Sequence, residues 1–174
     1  MITDCPVNSY CPAGTELNAT PLCPAGTFTG GHTNAKRLID CLPCTPGNYC
    51  LEGGSPITCV AGHYCPEGTR FSTQYACPAG YVNLGTGATA VTDCLHCGIG
   101  KYCPNSAEIA VHGTYCAAGT YNNASTSATI CEICPAGYYC VVTADTAGLV
   151  NANPEPCAPG TYSARGATNQ YECL

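Results

Sequence analysis

The sequence predicts small disulfide-rich repeats that form an elongated rod of short β-hairpins and loops, with little helix and no large hydrophobic core. Eighteen of the 174 residues are cysteine, a density typical of disulfide scaffolds. Leu, Ile, Val and Phe together make up about 15% of the chain, which is too little to fill one core. The cysteines also recur in patterned phrases. We therefore expect disulfides to supply most of the order.

Charge narrows the class of protein further. Only 9% of the residues are charged, and 11 acidic residues against 5 basic ones give a net charge of −6. No basic patch is present, which excludes nucleic acid as an expected partner. No apolar run approaches the roughly 20 residues of a membrane span. An ordinary globular enzyme is close to excluded by this composition.

The cysteine count also indicates a compartment. An even number of cysteines with patterned spacing is typical of an oxidising environment, so we expect an extracellular or cell-surface protein. Met1–Cys5 has neither the basic start nor the apolar stretch of a signal peptide. The expectation is a mature or trimmed segment of a longer precursor. The spacing of the cysteine phrases described below likewise leads us to expect that the sequence stops two residues before another cysteine.

The first repeated phrase consists of two cysteines separated by five residues, with tyrosine just before the second. It occurs five times, at Cys5–Cys11, Cys44–Cys50, Cys59–Cys65, Cys97–Cys103 and Cys134–Cys140. A tyrosine beside a disulfide can cover the sulfur atoms with its ring while its hydroxyl stays hydrated. Each phrase is predicted to be a closed loop with a miniature core.

The second phrase has a glycine three residues after its first cysteine and a longer Thr/Asn/Gly-rich stretch before its second. It occurs at Cys23–Cys41, Cys77–Cys94, Cys116–Cys131 and Cys157–Cys173. Cys-Pro-Ala-Gly favours a tight turn, since proline suits its second position and glycine tolerates positive φ. Thr and Tyr then favour a short strand. The Cys-x-x-Cys joints predict four units, at residues 1–40, 41–93 (with the extra Cys59–Cys65 loop), 94–130 and 131–174.

Pairing neighbouring cysteines in order along the chain uses all eighteen in disulfides and leaves none unpaired. It joins Cys5–Cys11, Cys23–Cys41, Cys44–Cys50, Cys59–Cys65, Cys77–Cys94, Cys97–Cys103, Cys116–Cys131, Cys134–Cys140 and Cys157–Cys173. A rival scheme pairs each Cys-x-x-Cys internally and joins Cys11–Cys23, Cys50–Cys59, Cys65–Cys77, Cys103–Cys116 and Cys140–Cys157. Short Cys-x-x-Cys disulfides tend to be strained, which favours the first scheme. Interleaved pairings within a unit also remain open.

These phrases resemble ephrin-receptor-like cysteine-rich repeats, and are more distantly similar to the cysteine-rich modules of tumour-necrosis-factor and growth-factor receptors. The resemblance rests on Cys-Pro-Ala-Gly-Thr-Phe at 23–28, Cys-Thr-Pro-Gly-Asn-Tyr-Cys at 44–50, Cys-Pro-Ala-Gly-Tyr-Tyr-Cys at 134–140 and the Cys-x-x-Cys joints. It covers nearly the whole chain. It implies an extracellular rod of small modules, of the kind found in protist and algal surface proteins.

No enzyme, metal or cofactor chemistry is predicted. Cys-x-x-Cys pairs can also bind zinc. The one histidine placed where a further zinc ligand is expected is His96, between Cys94 and Cys97. Redox catalysis lacks a surrounding βαβ pattern. His32, His63 and His112 each lie in a different loop context. A free-thiol count would separate a zinc or redox protein from a disulfide scaffold.

Two sequons predict N-glycans, at Asn18 and Asn123. Each asparagine lies seven residues after a cysteine that begins Cys-x-Ala-Gly-Thr, so we expect equivalent, exposed loops. The Thr/Ser clusters at Asn122–Thr129 and Thr86–Thr92 are candidates for O-glycans on composition alone.

Two functions follow from these features. The first is a glycosylated structural rod in a surface coat, fibre or filament, which self-associates or binds other repeat proteins through heterologous contacts. The alternative is the ligand-binding cysteine-rich ectodomain of a cell-surface receptor.

Overall fold

The computed structural model describes residues 4–16, 20–109, 113–123, 128–141 and 153–174. Over these ranges the secondary structure consists of two-residue strands and three single 3-10 turns, with no α-helix. The prediction of small disulfide-rich hairpins with little helix is confirmed. The strands are β1 (Thr27–Phe28), β2 (Leu42–Pro43), β3 (Asn48–Tyr49), β4 (Ile57–Thr58), β5 (Tyr81–Val82), β6 (Leu95–His96), β7 (Lys101–Tyr102), β8 (Thr114–Tyr115), β9 (Thr120–Tyr121), β10 (Glu132–Ile133), β11 (Tyr138–Tyr139) and β12 (Glu155–Pro156).

The chain is built from nine modules, each opened by what we call a lead cysteine. The third residue after every lead cysteine has a positive φ, between 60° and 88°. Glycine holds this position in eight modules, and Asn8 holds it in the first. Asparagine is the residue other than glycine that most readily tolerates this conformation. The lead cysteines are Cys5, Cys23, Cys44, Cys59, Cys77, Cys97, Cys116, Cys134 and Cys157, spaced 15 to 23 residues apart.

The Cys23 module shows how local sequence makes the turn and the strand. Pro24 presets the backbone for a tight turn, which closes when the Thr27 N–H donates to the Pro24 carbonyl at 3.0 Å. Gly26 takes the positive φ of 88° that the turn requires. Thr27 and Phe28 then leave the turn as β1, because β-branched and aromatic residues favour extended backbone.

Consecutive modules are joined by antiparallel pairing. Each odd-numbered strand directly follows the turn of one module, and its even-numbered partner directly precedes the next lead cysteine. Phe28 thus pairs with Leu42 across β1 and β2. At two further places the pairing between consecutive modules is a single antiparallel β-bridge. These bridges join Ser9 with Leu22 and His63 with Ala76.

The modules divide between two compact units. The first unit comprises Met1–Ala76 and Gly85–Cys94, and the second comprises Cys77–Leu84 and Leu95–Leu174. The backbone pairings between modules that involve residues 5–76 lie in the first unit. The pairs β5–β6, β7–β8, β9–β10 and β11–β12 lie in the second. The unit boundaries predicted at residues 40, 93 and 130 stay a prediction.

Cysteine makes up most of the buried apolar material. Among the described residues, Val82 and Ala167 are the only buried apolar residues that are not cysteine. Large side chains such as Ile39 and Leu95 are 74% and 67% exposed. Disulfides therefore replace the usual core, and loops of these lengths contribute roughly 2–3 kcal/mol each through the restricted unfolded chain.

A 3-10 turn precedes the closing cysteine in three of the four long-loop modules. The turns span Leu38–Asp40, Val91–Asp93 and Gln170–Glu172. The last residue of each is acidic and accepts at least one backbone N–H from the residues just before the turn. The Asp40 carboxylate, for example, accepts from Lys36 and Arg37 at 2.8 and 2.9 Å.

Candidate functional site

The recurring feature with the most defined chemistry is the joint around each lead cysteine. In the Cys44 module, the Cys44 N–H donates to the carbonyl of Gly26 in the preceding module at 2.8 Å. The Cys44 carbonyl accepts from Gly68 of the following module at 2.9 Å. Both backbone groups of this fully buried cysteine are thus satisfied by its neighbours. The donor half of the joint recurs at Cys23, Cys44, Cys59, Cys97, Cys116, Cys134 and Cys157.

The first lead cysteine has a different partner for its N–H. The Asn34 side-chain oxygen accepts from the Cys5 N–H at 2.9 Å. Asn34 has a positive φ of 68°, and its own N–H donates to the Cys5 carbonyl at 3.0 Å. One asparagine thereby satisfies both backbone groups of Cys5, which is 4% exposed.

Disulfides close eight of the nine modules on themselves. All eighteen cysteines lie among the described residues, and none of them is free. The structure joins Cys5–Cys11, Cys23–Cys41, Cys44–Cys50, Cys59–Cys65, Cys97–Cys103, Cys116–Cys131, Cys134–Cys140 and Cys157–Cys173. The remaining two, Cys77 and Cys94, are also disulfide-bonded. These pairs follow the nearest-neighbour order along the chain.

The sixth residue after the lead cysteine separates the two kinds of module. In the short-loop modules this residue is the closing cysteine. In the long-loop modules it is a small polar residue, buried in every case. The four residues are Thr29, Asn83, Asn122 and Ser163, between 1% and 7% exposed. Cys23, Cys116 and Cys157 bond instead to cysteines 18, 15 and 16 residues further along the chain.

Three of the four buried polar residues bind the preceding module through their side chains. Asn122 Nδ2 donates to the Lys101 carbonyl at 2.6 Å, and Ser163 Oγ donates to the Tyr138 carbonyl at 2.7 Å. Thr29 Oγ1 accepts the N–H of Asn8 at 3.0 Å. A side-chain hydrogen bond to a neighbouring turn thus occupies the place of a disulfide.

The sequence motifs described above do not single out these four residues. They share no residue type, and a polar residue in a Thr/Asn/Gly-rich stretch suggests exposure. The signal that identifies them is positional. Counting six residues from each lead cysteine finds either a second cysteine or one of the four.

Several turn glycines are also points of close backbone approach. A Cβ atom on Gly47 would lie 2.7 Å from the Gly87 carbonyl oxygen, and one on Gly119 would lie 2.3 Å from that of Gly166. Both distances are shorter than van der Waals contact. At Gly137, which has a similar positive φ of 82°, a Cβ would meet nothing within 4 Å.

The residues considered as zinc ligands have other partners. Cys97 is bonded to Cys103, and Cys94 is also in a disulfide. The His96 ring lies 4.7 Å from the Tyr81 ring, across β5 and β6. His63 Nδ1 lies 3.2 Å from the Ala61 carbonyl oxygen. His112 lies outside the described residues.

The two Cys-x-Ala-Gly-Thr segments form the same tight turn at different points of their modules. The Thr15 N–H donates to the Pro12 carbonyl at 3.1 Å, and the Thr120 N–H donates to the Ala117 carbonyl at 3.0 Å. Cys116 is a lead cysteine, whereas Cys11 closes the Cys5 module. The expectation that the two glycan acceptors lie on equivalent, exposed loops stays a prediction. Asn123 is exposed. Asn18 lies outside the described residues.

Within the described ranges, no helix has the length and apolar character needed to cross a membrane. No protein-family model matches the chain, and no curated protein sequence is significantly similar to it.

Proposed function

We propose that this chain is an extracellular structural protein, a glycosylated rod of disulfide-closed modules that contributes to a surface coat, fibre or filament. The observation that carries the proposal is the repeated joint, in which the buried backbone groups of a lead cysteine pair with neighbouring modules. Cys44, paired with Gly26 before it and Gly68 after it, is the clearest example.

The joint suits an extended assembly for a physical reason. Its hydrogen bonds use main-chain atoms, so they demand little of the side chains beyond the turn glycine and the cysteine. Each module also has its own disulfide, so adding modules requires no larger shared core. An array of this kind can grow in length without losing stability.

The compartment follows from the bonding state of the cysteines. Nine disulfides, made by eighteen bonded cysteines, persist only under oxidising conditions. This supports placement outside the cell or at its surface. In that compartment Asn18 and Asn123 can carry N-glycans. The resemblance to ephrin-receptor-like repeats also implies an extracellular protein.

The exposed surface supports self-association. Leu38, Ile39, Leu95 and Ile130 are between 53% and 74% exposed, while charged residues make up only 9% of the chain. Such a surface has little charge to keep copies apart. Contacts between different faces of two copies would be heterologous and could propagate a filament.

The test combines sedimentation and electron microscopy of the secreted, disulfide-intact protein. We expect concentration-dependent association and rods or filaments in negative stain, with association increasing after enzymatic removal of the glycans. A monodisperse monomer at millimolar concentration after glycan removal would contradict the structural proposal.

One observation favours the alternative, a ligand-binding cysteine-rich ectodomain of a cell-surface receptor. The second compact unit has a surface groove of about 350 Å³, lined by Tyr139, Pro156, Ala158, Thr161, Gln170 and Cys173. Saturable binding of a soluble extracellular protein to the monomer, lost in Tyr139→Ala, would support this alternative over the coat or filament.

A further inference from the structure

We infer that the Tyr121 ring forms a stacking platform for the first sugar of an N-glycan on Asn123. The inference rests on the glycosylation proposed above and adds a defined contact to it. It predicts that this glycan stabilises its own module, and does not merely cover the surface.

The burial pattern places Tyr121 and Asn123 on the same side of the chain. Asn122 is 5% exposed, and its side chain points inward to the Lys101 carbonyl at 2.6 Å. Tyr121 before it is half-buried and Asn123 after it is exposed. Alternate residues of a strand face the same way. β9 ends at Tyr121, and from the inward side chain of Asn122 we infer that the ring and the acceptor amide share the outer face.

The Tyr121 ring is held in place before any sugar arrives. Glu132 lies opposite Tyr121 across β9 and β10, and its carboxylate accepts the phenol O–H at 2.9 Å. This hydrogen bond to Glu132 raises the pKa of Tyr121 above its ordinary value. A fixed, neutral ring presents an apolar face at little further cost in conformational entropy.

The chemistry of the ligand fits that face. One side of an N-acetylglucosamine ring carries mainly C–H groups, which pack favourably against the negative face of an aromatic ring. A sugar linked to Asn123 is tethered two residues from the Tyr121 ring. The local concentration of the sugar at the ring is therefore high without any other contact.

The second acceptor provides an internal contrast. Two residues before Asn18 the chain has Glu16, which offers a carboxylate and no ring. We therefore expect stabilisation from the Asn123 glycan and none from the Asn18 glycan.

The first experiment is spectroscopic and uses the full chain secreted from a eukaryotic host, with occupancy measured by mass spectrometry. We expect nuclear Overhauser effects between the Tyr121 ring and the first N-acetylglucosamine on Asn123, with upfield shifts of its ring protons. Occupied Asn123 without these effects would overturn the stacking while leaving glycosylation intact. Unoccupied Asn123 would overturn both the inference and the glycosylation at this site.

The second experiment is a cycle of variants. Ser125→Ala removes the sequon without altering Asn123 and should lower the melting temperature by about 2–4 °C, the size expected for losing one aromatic contact. The effect of Ser125→Ala should persist in Tyr121→Phe, which keeps the ring, and disappear in Tyr121→Leu. Asn18→Gln, which removes the Asn18 acceptor, is the matched control. Equal shifts from Ser125→Ala in the Phe and Leu backgrounds would overturn the inference.

Discussion

A single hydroxyl illustrates how the long-loop modules attach at the residue scale. Ser163 is 1% exposed and donates to the Tyr138 carbonyl at 2.7 Å. Pro156, which lies opposite Tyr138, has no N–H to offer in its place. A partly buried carbonyl that loses its donor is left without a partner at a cost in free energy.

We therefore predict that Ser163→Ala lowers the free energy of unfolding by about 1–3 kcal/mol, measured by chemical denaturation with the disulfides intact. Thr161→Val is the matched control, because Thr161 makes a similar bond to the Ala158 carbonyl at an exposed site where water can substitute. A loss in Ser163→Ala no larger than that in Thr161→Val would contradict the role given to the buried hydroxyl.

The turn glycines allow the cost of backbone conformation to be separated from the cost of crowding. Gly119 and Gly137 have similar φ values, 76° and 82°. The Gly166 carbonyl occupies the space that a Cβ on Gly119 would need, whereas a Cβ on Gly137 would meet no atom within 4 Å. Gly137→Ala should lose about 1–2 kcal/mol of unfolding free energy from the positive φ alone. Gly119→Ala should lose a further 1–3 kcal/mol, roughly the cost of overpacking. Equal losses would show that the close approach to Gly166 is unimportant.

At the scale of the element, Asn34 is the most informative side chain in the first joint. It supplies the Cys5 N–H with the acceptor that six later joints take from a glycine carbonyl. Asn34→Gly keeps the positive φ and removes this acceptor.

We expect the Cys5 amide to exchange with solvent about tenfold faster in Asn34→Gly, the factor that corresponds to loss of roughly 1.4 kcal/mol for a buried hydrogen bond. Asn34→Asp keeps an acceptor oxygen and should exchange at nearly the rate of the unaltered protein. Exchange that is unchanged in Asn34→Gly would contradict the capping role.

The 3-10 turns carry the pH dependence of the fold. Donation from the Thr89 and Ala90 N–H groups, and then from the Thr89 hydroxyl, lowers the pKa of Asp93 below its ordinary 3.8. The same type of contact lowers the pKa of Asp40 and of Glu172. A lowered folded pKa means that the stabilisation is present above the ordinary value and is lost as the pH falls through the folded one.

We predict that the Asp93 carboxyl titrates with a midpoint below 3.8, as followed by side-chain carbon NMR, and that the Thr89 and Ala90 amides lose protection over the same range. Thr89→Val removes the hydroxyl donor and should raise the midpoint. A midpoint at or above 3.8 in the unaltered chain would contradict the proposed turn contact.

Part of this architecture could be predicted from the spacing of the cysteines. Cys-Pro-Ala-Gly at residues 23–26 and 77–80 identifies the turn because proline and glycine have narrow backbone preferences. Three of the five tyrosines before closing cysteines, Tyr49, Tyr102 and Tyr139, likewise lie in strands. The burial of Asn122 and Ser163 could not be predicted, since it depends on carbonyls of another module, Lys101 and Tyr138, that are distant in sequence.

At the scale of the whole molecule, the central claim is that each module is closed by its own disulfide and joined to its neighbours by the backbone. A glutamyl endopeptidase, applied to the denatured but unreduced chain, tests it directly. This enzyme cleaves after Glu16, Glu52, Glu67, Glu108, Glu132 and Glu172. Which of the resulting fragments stay linked to one another depends on the disulfide pairing.

Self-closed modules predict five separate fragments, 1–16, 17–52, 53–67, 68–108 and 109–132, each free of the others by mass spectrometry before reduction. Fragment 133–172 should remain linked only to 173–174, through Cys157 and Cys173. Pairing within each Cys-x-x-Cys, with bonds such as Cys11–Cys23 and Cys50–Cys59, would instead hold the fragments from residue 1 to residue 172 in one cross-linked species. Recovery of that single species would contradict the account.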